Sequence, residues 1–170
     1  MKTVYLSLGS NVGERERMLQ SALDLLNTLG VAIKRVSSVY ETEPVDLKEQ
    51  RFFLNLAAEA ETELFPMMLL DRIQKIELVL GRKRAGVPKG PRTIDIDILL
   101  YGAARVHSAR LMIPHPRMHE RRFVLAPMCE LAPDLRHPEL GGTMRELLAH
   151  VEGQKAHKVD FTPRVPGQDT

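Results

Sequence analysis

The chain has 170 residues, 44% apolar and 27% charged, with a formal net charge of +2. Those values describe a globular domain able to bury one core and exclude a disordered chain, and no segment reaches the ~20 apolar residues of a membrane span. The near-neutral total gives no reason to read a general nucleic-acid binder, and the single cysteine, Cys129, excludes both an intrachain disulfide and any Cys/His zinc spacing.

Cys129 lies in the largely apolar run 125–132 and reads as a buried small hydrophobe. The N-terminus leads straight into a β-prone segment, without a basic region followed by a long apolar core, so a cytoplasmic location is the expectation.

Residues 2–9 alternate and predict a first strand, followed by a strand-to-helix turn at Gly9-Ser10-Asn11-Val12-Gly13. That turn fits neither the P-loop nor the GxGxxG spacing, so turn chemistry accounts for its glycines. Met18, Ala22, Leu25, Leu26 and Leu29 share one face of a helix over 15–29, which Gly30 ends. A second strand is predicted over 32–42, broken by Pro44, and 43–50 is a polar loop. A third covers 52–62, with Leu54, Leu56, Ala58 and Ala60 on one face and Phe53, Asn55, Ala57 and Glu59 on the other. Pro66 opens a second helix with a core stripe of Leu69, Ile73, Ile76 and Leu80, leaving Gln74 and Glu77 off the stripe and Gly81 at the end.

Segment 82–92 is basic and irregular, with Arg82, Lys83, Arg84, Lys89 and Arg92 among Gly86, Pro88, Gly90 and Pro91. A fourth strand follows from Thr93. A short hairpin arm is expected over 105–112, a rigid Pro114-His115-Pro116 turn after it, a partly helical 118–132 despite Pro127, and a last helix over 144–151. His107, His137, His150 and His157 read as surface residues. Residues 153–170 form a polar tail, expected to be loosely ordered on a single domain spanning 1–170. The order β-α-β-β-α-β predicts an α+β, ferredoxin-like split βαβ fold: a mainly antiparallel sheet with helices on the faces. Two helices would cover one face. The other would stay partly open and carry Phe53, Asn55, Asp95 and Asp97.

Asp95 and Asp97 share one strand face, ~7 Å apart, while Ile94, Ile96 and Ile98 share the other. Two like charges so placed call for a cation, and oxygen-only ligands suit magnesium completed by substrate phosphates. The basic segment beside them supplies arginines able to hold phosphate oxygens bidentately. A polar strand face or a charge run alone is often merely solvated; side by side they point to polyphosphate chemistry. Phe53 and Asn55 offer a ring and an amide to a flat heterocycle. His115, held between prolines near Arg110, Arg117 and Arg121, is a candidate phosphate or ribose contact.

Gly90-Pro91-Arg92-Thr93-Ile94-Asp95-Ile96-Asp97-Ile98 resembles the hallmark motif of the 6-hydroxymethyl-7,8-dihydropterin pyrophosphokinase family. It is accompanied by Leu8-Gly9-Ser10-Asn11, Ser37-Ser38-Val39-Tyr40-Glu41-Thr42, Phe53-Leu54-Asn55, Ile76-Glu77, Gly81-Arg82 and Ile113-Pro114-His115. The resemblance implies pyrophosphate transfer from ATP to the hydroxymethyl group of the reduced pterin, giving AMP, in folate biosynthesis. It implies two magnesium ions bridging ATP to Asp95 and Asp97, which with Arg82 and Arg92 of the catalytic loop form the catalytic set. Thr42, Val45, Phe53, Asn55 and Phe123 match the pterin pocket. Gln74, Glu77, Arg84, Ile98, Arg110, His115 and Arg121 match the ATP contacts. The sequence departs from the family at Phe53, often tyrosine, and at Lys89, Pro116 and Met112.

The expected partners are therefore ATP and a reduced pterin, with no nucleic acid, no membrane and a monomeric state. The rival readings are another magnesium-dependent nucleotidyl or phosphoryl transferase, and a single-stranded RNA-binding module, whose aromatic strand signature is missing here.

Overall fold

The computed structural model describes residues 1–43, 51–81 and 93–168. Its centre is a six-stranded sheet. β1 (Lys2–Ser10) lies between β4 (Phe53–Thr62) and β5 (Asp95–Tyr101), antiparallel to both. β2 (Val31–Val36) and β3 (Tyr40–Thr42) line up along the far side of β4. Taking β2 and β3 as one interrupted strand, the layout is the expected ferredoxin-like one: last strand, first, third, second.

α1 (Arg15–Thr28) and α2 (Pro66–Val79) cover one sheet face. Val4, Leu6 and Leu8 of β1, Leu54, Leu56, Ala58 and Ala60 of β4, and Ile96 and Ile98 of β5 meet them in the main core. Both helices end at a glycine with positive φ, Gly30 (95°) and Gly81 (99°), a region costly for residues with a Cβ. The α1 stripe is rotated slightly from the expected one. Leu19, Ala22, Leu23 and Leu26 are buried, while Met18, Leu25 and Leu29 flank them, because a stripe that meets a sheet is wider than one residue column.

The strand expected over 32–42 is broken at Ser37. Its hydroxyl accepts the Ala57 N–H at 2.9 Å, and its own N–H donates to the Ala57 carbonyl at 2.9 Å. A side chain thereby replaces a rung of the ladder, and the strand resumes at Tyr40.

The second face is less open than expected. α3 (Arg122–Leu131) and α4 (Met144–Ala149) close one end of it over Tyr5, Ala57, Leu99 and Leu100. Glu130 of α3 accepts the Ser38 N–H and hydroxyl, each at 2.8 Å, and the Tyr40 hydroxyl at 2.8 Å. The motif Ser37–Thr42 is thus partly a joint between β3 and α3. Burial and the Glu130 carboxylate push the Tyr40 phenol well above its ordinary value. Cys129 is half-buried on α3 rather than fully buried, and burial raises its thiol.

The tail is also folded, contrary to expectation. β8 (Ala156–Lys158) pairs with β3 and extends the sheet. Phe161 and Val165 pack on the main core. Gln20 of α1 exchanges hydrogen bonds with the Arg164 backbone, at 2.8 Å from its N–H and 3.1 Å to its carbonyl. Apolar residues spaced along a polar segment are too sparse to show as a period, yet Val159, Phe161 and Val165 are partly buried against the core. His137 is likewise buried, not on the surface: its Nδ1 accepts the Glu139 and Leu140 N–H groups.

Candidate active site

β1 forms the floor of the site. Gly9 pairs with Asn55 on β4 and with Asp95 on β5; Ser7 pairs with Ala57 and Asp97. Paired residues of adjacent strands project from the same face. Asn55, Gly9 and Asp95 therefore form one row across three strands, and Ala57, Ser7 and Asp97 the next. This is the face away from Leu8, Leu56 and Ile96, which point into the main core. Gly9 belongs to β1, as the strand expected over 2–9 has it, and the strand runs one residue further, to Ser10, so the turn begins later than expected. A Cβ built on it would stand 2.6 Å from Asn55 Oδ1 and 3.6 Å from Phe53 Cδ1.

Asn55 is buried, and its Nδ2 donates to Thr42 Oγ1 at 2.7 Å. Phe53 is half-buried at the start of β4. Phe123 is half-buried at the start of α3, with the Arg121 guanidinium 5.5 Å from its ring centroid, a cation–π arrangement. Asp95 and Asp97 are both half-buried at the head of β5. The open edge of that strand is held between them: the Ile96 N–H donates to Glu77 Oε2 at 3.0 Å. Glu77 is buried, unlike a residue merely off the helix stripe.

β5 pairs Leu100 with Tyr5 and Ile98 with Leu6, so Leu99 is an extra residue in the ladder. The Leu99 carbonyl accepts the His115 N–H at 3.0 Å, so the bulge anchors His115. His115 Nδ1 accepts the Arg117 N–H at 3.2 Å. Burial pushes the imidazole down to about 4, helped by Arg121 and Arg117 and opposed by Asp95. It is neutral near pH 7, with its proton on Nε2.

Arg110, on the arm between β6 (Val106–His107) and β7 (Met112–Ile113), donates to Asp71 at 2.9 Å and to Gln74 at 3.2 Å on α2. Ile98 is buried in the main core, so its side chain is turned away from the face that carries Asp95 and Asp97. Val45, Arg82, Arg84 and Arg92, with Lys83 and Lys89, lie outside the described residues. The flanks of the basic segment do meet: Thr93 Cγ2 would be 3.8 Å from a Cβ on Gly81.

The structure thus joins Phe53, Asn55 and Thr42 beside Gly9 on one side and Asp95 on the other; His115 feels the charges of Asp95 and Arg121, and Arg121 stands over Phe123. Sequence reasoning missed the Leu99 bulge, for which no local signal exists. It placed Gly9 at the end of the first strand but missed its close approach to Asn55, which a glycine inside a strand pattern can signal.

The family model for 7,8-dihydro-6-hydroxymethylpterin-pyrophosphokinase matches residues 5–133. The chain belongs to this family. The match runs from the first strand through α3 and takes in every candidate site residue. The 2-amino-4-hydroxy-6-hydroxymethyldihydropteridine pyrophosphokinase of Bacillus subtilis is 49% identical over 128 residues, covering 75% of this chain and 76% of that one. The enzyme of the same name from Methylorubrum extorquens is 43% identical over 162 residues, 94% of this chain and 100% of that one. A crystal structure of Plasmodium falciparum HPPK-DHPS, with pterin and p-hydroxybenzoate, superposes with a TM-score of 0.71 at 19% identity. It covers 87% of this chain, which spans only 42% of that longer one, and the likeness concerns the fold.

Asp95 and Asp97 fit a hard divalent cation. They provide oxygen donors only, on one strand face, as suits a hard ion completed by water and phosphate oxygens. No group of three or more His, Cys, Asp or Glu side chains able to hold a metal occurs among the described residues.

Proposed function

We propose that this chain transfers the pyrophosphoryl group of ATP to the hydroxymethyl oxygen of 6-hydroxymethyl-7,8-dihydropterin, releasing AMP, as a step of folate synthesis. The reading is supported, beyond the family match, by the row Asn55–Gly9–Asp95, which sets the Asn55 amide and the Asp95 carboxylate on either side of a residue with no side chain. Phe53 and Phe123 stack the pterin, and Thr42, Val45 and Asn55 meet its polar edge. Gln74, Arg84, Arg110, His115 and Arg121 hold ATP, with Ile98 restricted to a backbone contact. Glu77 supports the metal strand from behind, whatever contact it also makes with nucleotide.

The acceptor oxygen forms a bond to the β-phosphorus, and the bond from that phosphorus to the α-β bridging oxygen breaks. AMP leaves with the bridging oxygen, and the hydroxyl proton is lost to water. Two magnesium ions, when bound, supply charge neutralisation of the phosphates. Asp95 and Asp97 hold and orient that charge, while Arg82 and Arg92 donate to the phosphates as negative charge redistributes. Neutral His115 donates from Nε2 without adding a net charge. The chain acts as one domain, monomeric and cytoplasmic; no helix among the described residues is long and apolar enough to cross a membrane.

The test is incubation with ATP, magnesium and 6-hydroxymethyl-7,8-dihydropterin. AMP and the pterin diphosphate should appear in equal amounts. ADP in place of AMP would show a different phosphoryl transfer, and no product would refute the reading.

A further inference from the structure

Gly9 does not need its glycine backbone freedom. It lies within a regular strand, paired on both sides, and is not among the glycines with positive φ. Alanine would suit that backbone. What alanine would not suit is the space above it: the added methyl would lie 2.6 Å from Asn55 Oδ1, well inside van der Waals distance. The obstructed atom is the end of a side chain, not backbone. The strand can therefore persist while the amide moves. Asn55 cannot move at no cost, because its Nδ2 is held by Thr42 Oγ1 at 2.7 Å and the residue is 4% exposed. Phe53 Cδ1, 3.6 Å from the same point, closes the other side.

From this geometry we infer that Gly9 is a positioning residue of the transfer reaction: its missing side chain makes room for the Asn55 amide and thereby sets how the pterin is held beside Asp95. The inference rests on the pterin reading of Asn55 given above. Asn55 is pinned from β3 by its donor and reaches over β1 with its acceptor. Its orientation is therefore decided by three strands together. The bare Cα of Gly9 also leaves the middle of the row low, between Asn55 and Asp95, where the acceptor hydroxymethyl group must approach the phosphate.

The experiment is a double-mutant cycle read by equilibrium binding of 6-hydroxymethyl-7,8-dihydropterin, with magnesium and a non-hydrolysable ATP analogue present. Gly9→Ala should weaken pterin binding by about tenfold, as should Asn55→Ala, since each removes or misplaces a buried hydrogen-bonding amide. Binding of the ATP analogue alone should stay within about twofold in both. The Gly9→Ala/Asn55→Ala double variant should bind pterin like Asn55→Ala alone, because the methyl then keeps only an ordinary van der Waals contact with Phe53 Cδ1 at 3.6 Å. Unchanged pterin binding in Asn55→Ala refutes the pterin reading itself and the inference with it. Weakened binding in Asn55→Ala with unchanged binding in Gly9→Ala overturns the inference alone, as does a double variant whose loss is the product of the two single losses. If Gly9→Ala fails to fold, the double variant decides. Its folding supports the stated collision with Asn55, and its failure places the role of Gly9 in the backbone and overturns the inference.

Discussion

At the scale of single residues, the consequential contrast is between side chains proposed to meet ligand and those that aim them. Asp95 and Asp97 stand on one face of β5, so Asp97→Ala should lower turnover by ~100-fold or more at saturating ATP, with pterin binding little changed. Wild-type turnover in that variant at saturating magnesium would refute the metal assignment. The histidines give a pH signature. Burial lowers both His115, to about 4, and His137. A histidine whose folded pKa is depressed binds fewer protons folded than unfolded, so stability rises with pH across that interval. The urea midpoint should therefore be full above about pH 6.5 and fall as pH drops from there toward 4. His137→Asn, which retains an acceptor for the Glu139 and Leu140 N–H groups, should show a shallower fall between pH 7 and 5. An identical slope would remove His137 from the account.

At the scale of elements, the strand that carries Asp95 and Asp97 is an edge strand, and edges must be covered. Glu77 does this from α2 by accepting the Ile96 N–H, between the two aspartates. Glu77→Ala leaves that buried donor without its carboxylate and should cost about 1–3 kcal/mol of stability, with Glu77→Gln costing less because an amide oxygen still accepts. Chemical denaturation of the two variants checks the order. If alanine and glutamine cost the same, packing rather than the hydrogen bond holds the strand. The same logic explains why the run 32–42 is two strands. β propensity was legible in its sequence, but the Ser37 hydroxyl competes with the ladder only once β4 is beside it.

At the scale of the whole molecule, the tail closes the fold rather than trailing from it. Removing 153–170 would delete β8 and uncover the core beneath Phe161 and Val165. Tm should fall by ~5–15 °C, the burial of two partly covered apolar side chains and one strand pairing expressed in temperature. An unchanged Tm would mean that the tail rests on the body without supporting it. The strand–helix order was readable because period-two and period-3.6 patterns are local properties of the chain, and so was the grouping of Phe53 with Asn55 and of Asp95 with Asp97. The tail, the coverage of the second face by α3, and the burial of His137 were not readable, because each depends on surfaces that exist only after the sheet has formed.

The amino-acid sequence by itself determined the family, the element order and the opposition of Ile94, Ile96 and Ile98 to Asp95 and Asp97, since side-chain alternation follows from the backbone alone. Only the tertiary structure decided that Gly9 stands between Asn55 and Asp95, that the Leu99 bulge anchors His115, and that Glu77 ties down the strand between the two carboxylates. Those are matters of register and of packing across strands and helices. Register is settled when distant segments bury their apolar faces together, and no single segment contains it.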